Sequence, residues 1–244
     1  MSSSNYTFNF IVVVFFLHFV HTVIADDPMY LICSTNSDNF TSYSPYEQNL
    51  NKLLGELNFK TSQNGFGNGS VGQYHAQTFG LSLCRGDVSS QDCMTCIANA
   101  SSEIRKRCPT NKAAAIWYDQ CLLKYSDNNF FGQIDNQGML YALNVNNASD
   151  PTSFNSGTKR LLNGLSNIAY TDPKMFAAGV IDLEGSQKLY GLVQCTRDLS
   201  SGDCKTCLDS TISQLPRCCD GKQGGRVVGG SCNIRYEIYP FLSI

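Results

Sequence analysis

Charge is scarce in this 244-residue chain: 16% of residues are charged, and 18 Lys and Arg face 20 Asp and Glu. The basic residues are spread thinly, so there is no electrostatic footprint for nucleic acid or for an anionic membrane surface. A membrane-disrupting cationic peptide is disfavoured for the same reason. Histidine is almost absent. Of three, two lie in the first 25 residues, which leaves His75 in Tyr74-His-Ala-Gln with no recognisable partner motif. That removes the usual general base, and no paired carboxylates or activated nucleophile stand in a defined frame. Gly224-Gly225 and Gly229-Gly230 lack the Lys-Ser/Thr ending of a phosphate loop and read as turns. The chain is therefore expected not to be an enzyme and to need no cofactor.

Long apolar runs are also missing after the N-terminus. Phe10 to Val20 is apolar apart from His18, and Val23-Ile24-Ala25 offers a peptidase site, so residues 1–25 read as a signal peptide cleaved after Ala25. The region Met1–Asn9 carries no Lys or Arg, a departure from the usual pattern. A membrane span would need about 20 apolar residues, more than are present. The end, Phe241-Leu-Ser-Ile244, has no lipid-anchor signal. The mature protein is expected to be free, soluble and extracellular, with no membrane span.

Twelve cysteines are present, and behind a signal peptide they point to an oxidising compartment. Zinc is the competing use, but ligand histidines are lacking and each Cys-x-x-Cys has another Cys nine residues upstream, so no metal site is expected. Sequons at Asn39, Asn68, Asn99 and Asn147 fit a glycosylating secretory route.

The cysteines expose a repeat. Cys84, Cys93, Cys96, Cys108 and Cys121 recur 111 positions later as Cys195, Cys204, Cys207, Cys219 and Cys232. Upstream, Tyr46–Leu54 aligns with Phe154–Leu162 at an offset of 108, so the two copies differ in loop length. The boundary falls between Phe130 and Leu140, where the chain is polar and turn-rich; residues 26–132 form one module and 139–242 the other.

Each module reads as helix, strands, helix, strands. Ser44-Pro45-Tyr46-Glu47 is an N-cap, a first-turn proline and a capping-box acid, and Leu50, Leu53, Leu54 and Leu57 follow as an apolar stripe. Phe154, Leu161, Leu162 and Leu165 repeat that stripe. Second helices begin near Asp92 and Asp203 and end near Cys108 or Pro216. Ala115–Tyr125, Lys188–Gln194 and Arg226–Tyr239 have strand character. The predicted class is α+β: a tandem repeat of two small disulfide-stapled modules, each with two helices packed on an antiparallel sheet.

The twofold Cys-x8-Cys-x2-Cys spacing, with Gly224-Gly225-Arg226 ahead of Ser231-Cys232-Asn-Ile-Arg-Tyr-Glu237, resembles the ginkbilobin-type cysteine-rich repeat of plants. The resemblance covers essentially the whole mature chain and points to the cysteine-rich repeat secretory proteins of the apoplast, with two ginkbilobin-homologous modules. It implies the pairings Cys33–Cys108, Cys84–Cys93, Cys96–Cys121, Cys195–Cys204 and Cys207–Cys232. The second module departs from the pattern: nothing matches Cys33, and Cys218 precedes Cys219. These two are left unassigned, as a vicinal disulfide, free thiols or a bridge to another chain.

The resemblance also implies a mannose site at Asn144, Arg226 and Glu237. Arg226 stands six residues before Cys232 and Glu237 five after it; Asn144 is placed by counting back from Phe154, with Asn146 and Asn147 nearby. A hairpin turning at Gly229-Gly230 puts Val227, Ile234 and Tyr236 on the core face and Arg226, Asn233, Arg235 and Glu237 together on a face expected to meet solvent. An Arg fork, a carboxylate and an amide suit adjacent sugar hydroxyls. The same pair is also what a solvated surface ion pair looks like, worth about 0–1 kcal/mol. Ser34, Ala115 and Ser126 occupy the corresponding places in the first module, which is expected not to bind mannose. Ile116, Trp117 and Tyr118 are expected mainly in its core, with the interface between modules or a partner surface as the alternative.

What the resemblance implies for function is secreted mannose binding, with mannose-type glycans as ligands and an antifungal or defence role. The alternatives are a non-enzymatic module that binds cell-surface receptor proteins, and a redox-responsive protein working through Cys218 and Cys219.

Overall fold

The computed structural model describes residues 27–34, 38–136, 138–183 and 187–242; the expected signal peptide lies outside them. The chain forms two copies of one α+β unit. The first contains β1 (Tyr30–Cys33), α1 (Pro45–Asn64), β2 (Phe66–Val71), β3 (Thr78–Cys84), α2 (Ser90–Arg107), β4 (Ala114–Trp117) and β5 (Cys121–Ser126). The second contains β6 (Leu140–Leu143), α3 (Pro151–Ala169), β7 (Phe176–Asp182), β8 (Lys188–Cys195), α4 (Ser201–Ser213), the single turn α5 (Leu215–Cys218), β9 (Gly224–Val228) and β10 (Cys232–Glu237). Each unit holds one five-stranded antiparallel sheet, ordered β1-β4-β5-β3-β2 and β6-β9-β10-β8-β7.

Local signals explain the helix ends. Ser44 caps α1 by accepting the Glu47 N–H, while Glu47 Oε2 takes the N–H of Tyr43, one residue earlier than in the usual capping box. Gly65, at φ 83°, ends the helix in the left-handed conformation. Ser89 and Ser200 cap α2 and α4 in the same way, and Asp150 caps α3.

The apolar stripe of α1 (Leu50, Leu53, Leu54, Leu57) packs with Ile97 and Ile104 of α2 against the inner face of the first sheet. Phe154, Leu161, Leu162 and Leu165 do the same in the second unit, with Leu208 and Ile212 of α4. Disulfides join Cys33–Cys108, Cys84–Cys93 and Cys96–Cys121 in the first unit, and Cys195–Cys204, Cys207–Cys232 and Cys218–Cys219 in the second. Two registers explain the difference between the copies. Cys33 pairs with Ala114 in the first sheet, whereas Leu143 pairs with Gly225 in the second, so Leu143 stands where Cys33 would be needed and Cys219 is bonded to its neighbour.

The outer sheet faces are buried in part against each other. Leu81, Leu83, Ala115, Trp117 and Leu122 of the first unit form a third apolar cluster with Val228 of the second. Burying side chains of this size contributes about 1.5–3 kcal/mol each. Trp117 therefore belongs to the joint between units, and its indole N–H donates to the Gly229 carbonyl at 3.2 Å, while Ile116 and Tyr118 remain in the first core. The Gln194 amide donates to the Cys84 carbonyl at 3.0 Å, also across the joint. The connecting segment is tied down as well: Asp135 N–H donates to Ser231 Oγ at 2.9 Å and Lys124 pairs with the Asp135 carboxylate.

Among the sequons, Asn39 and Asn147 are exposed, and Asn68 on β2 and Asn99 on α2 are half-buried.

Candidate functional site: a cleft at the joint of the two units

The β9–β10 hairpin carries the site. Val227 pairs with Ile234 and both point into the core, so Arg226, Asn233, Arg235 and Glu237 share the opposite face. Asn144 joins them because its N–H donates to the Gly224 carbonyl at 2.9 Å, the bond that Ser34 makes with Ala113 in the first unit. The structure thus brings Asn144, Arg226 and Glu237 to one open cleft of about 550 Å³, which Met29 and Asp119 of the first unit also line.

That face does not meet solvent as the hairpin pattern predicts. Arg226 is only 9% exposed and Glu237 8%: the turn between β4 and β5 of the first unit closes over Arg226 through Asp119, while Glu237 lies between Arg235 and Gly224 of its own hairpin. Alternation along a strand reveals which residues share a face; it says nothing about what covers that face.

Register places Arg226 directly opposite Arg235. Like charges in that position repel. Asp119 resolves the conflict: its Oδ1 accepts from Arg226 Nη1 at 2.5 Å and from Arg235 Nη1 at 3.0 Å, and its Oδ2 accepts from Arg85 Nη1 at 2.7 Å. Partial burial pushes the Asp119 carboxyl up, but Arg226, Arg235 and Arg85 together outweigh it and hold the group below the usual carboxylate range. Asp119 has no acidic counterpart, since Gly230 stands 111 positions later. That difference between the copies is the signal by which the sequence could have revealed it.

Glu237 is in the opposite condition. Burial pushes its carboxyl above the usual range, and the bond from Arg235 Nε at 3.3 Å, with a hydrogen bond from Tyr239, only partly offsets this. Glu237 lies over Gly224, where a Cβ would run into its Oε2. Oε2 and Arg226 Nε are buried without a hydrogen-bond partner. An orphaned acceptor and an orphaned donor in one cleft wall are costly unless something completes them. Asn144 uses its side-chain oxygen to accept the Asn146 N–H at 3.0 Å, which leaves its amide NH₂ as the group it can offer. Tyr239, half-exposed, adds an aromatic ring, and its hydroxyl lies 3.4 Å from Arg235 Nη2.

The corresponding cleft of the first unit, about 690 Å³, is lined by Ser34, Ala115, Lys124 and Ser126, and Lys124 is held by Asp135. At the places of Arg226 and Glu237 it has Ala115 and Ser126, and the Asp135 carboxylate on its wall is paired with Lys124. His75 lies exposed on the turn Tyr74–Ala76 between β2 and β3, at the sheet edge away from β1. Among the described residues no cluster of His, Cys, Asp or Glu could hold a metal ion, and no helix is long and apolar enough to cross a membrane.

Comparison with known proteins agrees with this architecture. The salt stress response/antifungal family matches residues 32–128 and again 142–239. An antimicrobial ginkbilobin-2-like protein of Castanea crenata is 55% identical over 223 residues, covering 91% of this chain and 92% of that protein. Cysteine-rich repeat secretory protein 38 of Arabidopsis thaliana is 52% identical over 229 residues, covering 91% and 90%. The tandem DUF26 ectodomain of the Arabidopsis thaliana cysteine-rich receptor-like protein PDLP8 superposes with a TM-score of 0.75 at 26% identity, over 86% of this chain and 97% of that one. None of these descriptions carries a catalytic activity. The chain belongs to the salt stress response/antifungal family, as a secreted, extracellular protein with two of its domains in tandem.

Proposed function

We propose that the protein is a mannose-binding defence protein that takes the glycan in the cleft at Asn144, Arg226 and Glu237 and carries an antifungal role. The observation that carries this reading is the pair of orphaned atoms, Arg226 Nε and Glu237 Oε2, in a single cleft wall. Adjacent sugar hydroxyls each donate and accept, so one vicinal pair can complete both atoms after a small opening of the wall. The half-exposed ring of Tyr239 offers a surface for the apolar face of a pyranose. Met29 and Asp119 line the same cleft, so the site belongs to the joined pair of units and not to the second alone. Recognition of mannose-rich wall polymers would hold the protein on a microbial surface, in keeping with the antimicrobial name of the Castanea crenata relative. The four sequons are proposed glycosylation sites. Titration of the full chain with mannose oligomers tests the reading, with binding lost in Glu237→Gln.

A second reading has its own support. Tyr141, Leu143 and Val145, on and just after the edge strand β6, are exposed apolar residues, and Leu143 also lines the cleft. Together with the receptor-like ectodomain neighbours they favour a protein-binding face, with cell-surface receptor proteins as partners.

A further inference from the structure

The two units differ on their helical side as well, and the first shows what the second lacks. In the first unit the groove between α1 and α2 is closed by Arg105. Its Nη2 lies 2.7 Å from Glu47 Oε1, its Nη1 donates to the Pro109 carbonyl at 3.1 Å, and its guanidinium lies 5.2 Å over the Phe40 ring. Phe40 is itself buried.

Register identifies the counterparts. Phe40 N–H donates to the Thr110 carbonyl and Ala148 N–H to the Gly221 carbonyl, so Ala148 stands where the first unit has a phenyl ring. By the repeat offsets Pro216 replaces Arg105, Asn155 replaces Glu47 and Asp220 replaces Pro109. The cation, its carboxylate partner and the ring are gone, while a new anion, Asp220, stands where the first unit offers the Pro109 carbonyl.

The groove is accordingly open, as a pocket of about 330 Å³ between α3 and α4–α5. That size is at the lower end of small-ligand sites. Its apolar wall is made by Ile212, Leu215, Cys219 and Tyr236, and Asn155 Nδ2 donates to Asp220 Oδ1 at 2.7 Å on the rim. The exposed Lys159 is also on the rim, and Lys205 nearby is held by Asp209 at 2.5 Å. Tyr236 and Glu237 point to opposite faces of β10, so this pocket is separate from the cleft on the other side of the sheet.

We propose that this pocket binds a small organic cation with an aromatic body, an arylalkyl ammonium or guanidinium. The cationic head takes the place of Arg105, beside Pro216, paired with Asp220, and the aromatic part fills the adjoining apolar half of the pocket. The ring rests on the Ile212, Leu215 and Tyr236 wall.

The probes are phenethylamine and, as its neutral counterpart, 2-phenylethanol, followed by ligand-observed NMR on the full chain. Wild type binds phenethylamine, and binds 2-phenylethanol at least fivefold more weakly. The double variant Asn155→Glu, Pro216→Arg rebuilds the closing ion pair of the first unit and lowers phenethylamine affinity at least tenfold, with its thermal transition retained. Asp220→Asn, an exposed substitution that leaves packing alone, lowers it at least fivefold. The proposal is overturned if wild type does not bind phenethylamine, if the folded double variant binds it as wild type does, or if the neutral probe and Asp220→Asn show no discrimination.

Discussion

Arg226 Nη1 lies 2.5 Å from Asp119 Oδ1, in a contact that reaches from the second unit to the first and also holds Arg226 beside Arg235, its cross-strand neighbour. One carboxylate therefore serves two purposes: it neutralises a pair of facing arginines and it fixes how the units meet.

Removing Asp119 is expected to be costly for that reason. Asp119→Ala leaves Arg226, Arg235 and Arg85 without their shared acceptor, and loss of charged hydrogen bonds of this kind costs about 1.5–3 kcal/mol. The side chain is 43% exposed, so solvent screening places the effect toward the lower figure. Urea denaturation of wild type and variant measures it; an unchanged midpoint would mean that the contact does not hold the joint.

The same group sets a pH dependence. Its folded pKa is depressed, so its contribution is present above the unfolded value of about 4 and is lost as pH falls through the folded value. Glu237 acts in the opposite direction. Its folded pKa is raised, so it costs stability above about pH 4.3 and ceases to do so below that. Denaturation midpoints from neutral pH to pH 3 should therefore fall less steeply in Asp119→Asn than in wild type. Glu237→Gln should be at least as stable as wild type at pH 7, where the ionised carboxylate is costly. A Glu237→Gln chain that unfolds at pH 7 would show the carboxylate to be a structural necessity.

Trp117→Ala should destabilise the chain by about 3–5 kcal/mol, the usual cost of emptying a large buried aromatic site. Differential scanning calorimetry reads the loss. A cost below about 1 kcal/mol would place the indole at a loosely packed contact and not at the centre of the joint.

Full reduction should unfold both units, whereas the double change Cys218→Ser, Cys219→Ser should leave the fold intact. The other bonds close loops with sequence separations of up to 75 in the first unit and up to 25 in the second, which restricts the unfolded chain. The bond between adjacent residues has a separation of 1 and closes no such loop. Thermal unfolding under oxidising conditions separates the cases; loss of cooperative unfolding in the double variant would assign Cys218 and Cys219 a structural role.

Much of the fold was legible in the sequence because its determinants are local. Ser44, Pro45 and Glu47 mark the start of α1, the leucine stripe marks its buried face, and the repeated cysteine spacing marks two copies of one unit. The common face of Arg226, Arg235 and Glu237 was legible too, from the period of two along β10. What covers that face was not. The partner surface comes from β4, β5 and the turn at Asp119, more than 100 positions away, and nothing in the hairpin encodes it. Trp117 was the clue: an indole on the first sheet, in a chain with one tryptophan, belonged to the joint and not to the core. The exposed reading of Arg226 failed for the same tertiary reason. The Arg226–Glu237 spacing located the cleft without showing that Asp119 and Met29 help to build it.

The central claim is that Glu237 and Arg226 recognise a mannose-type glycan, and calorimetric titration of the full chain with mannose oligomers tests it most directly, using wild type, Glu237→Gln and Ser126→Ala. Wild type should bind with one site per chain, and Ser126→Ala, at the corresponding place in the first unit, should bind equally well. Glu237→Gln should lose at least tenfold in affinity, about 1.4 kcal/mol, while remaining folded. No binding heat from wild type at millimolar oligomer, or a Glu237→Gln chain that binds as wild type does, would contradict the assignment and leave the protein-binding face as the better account.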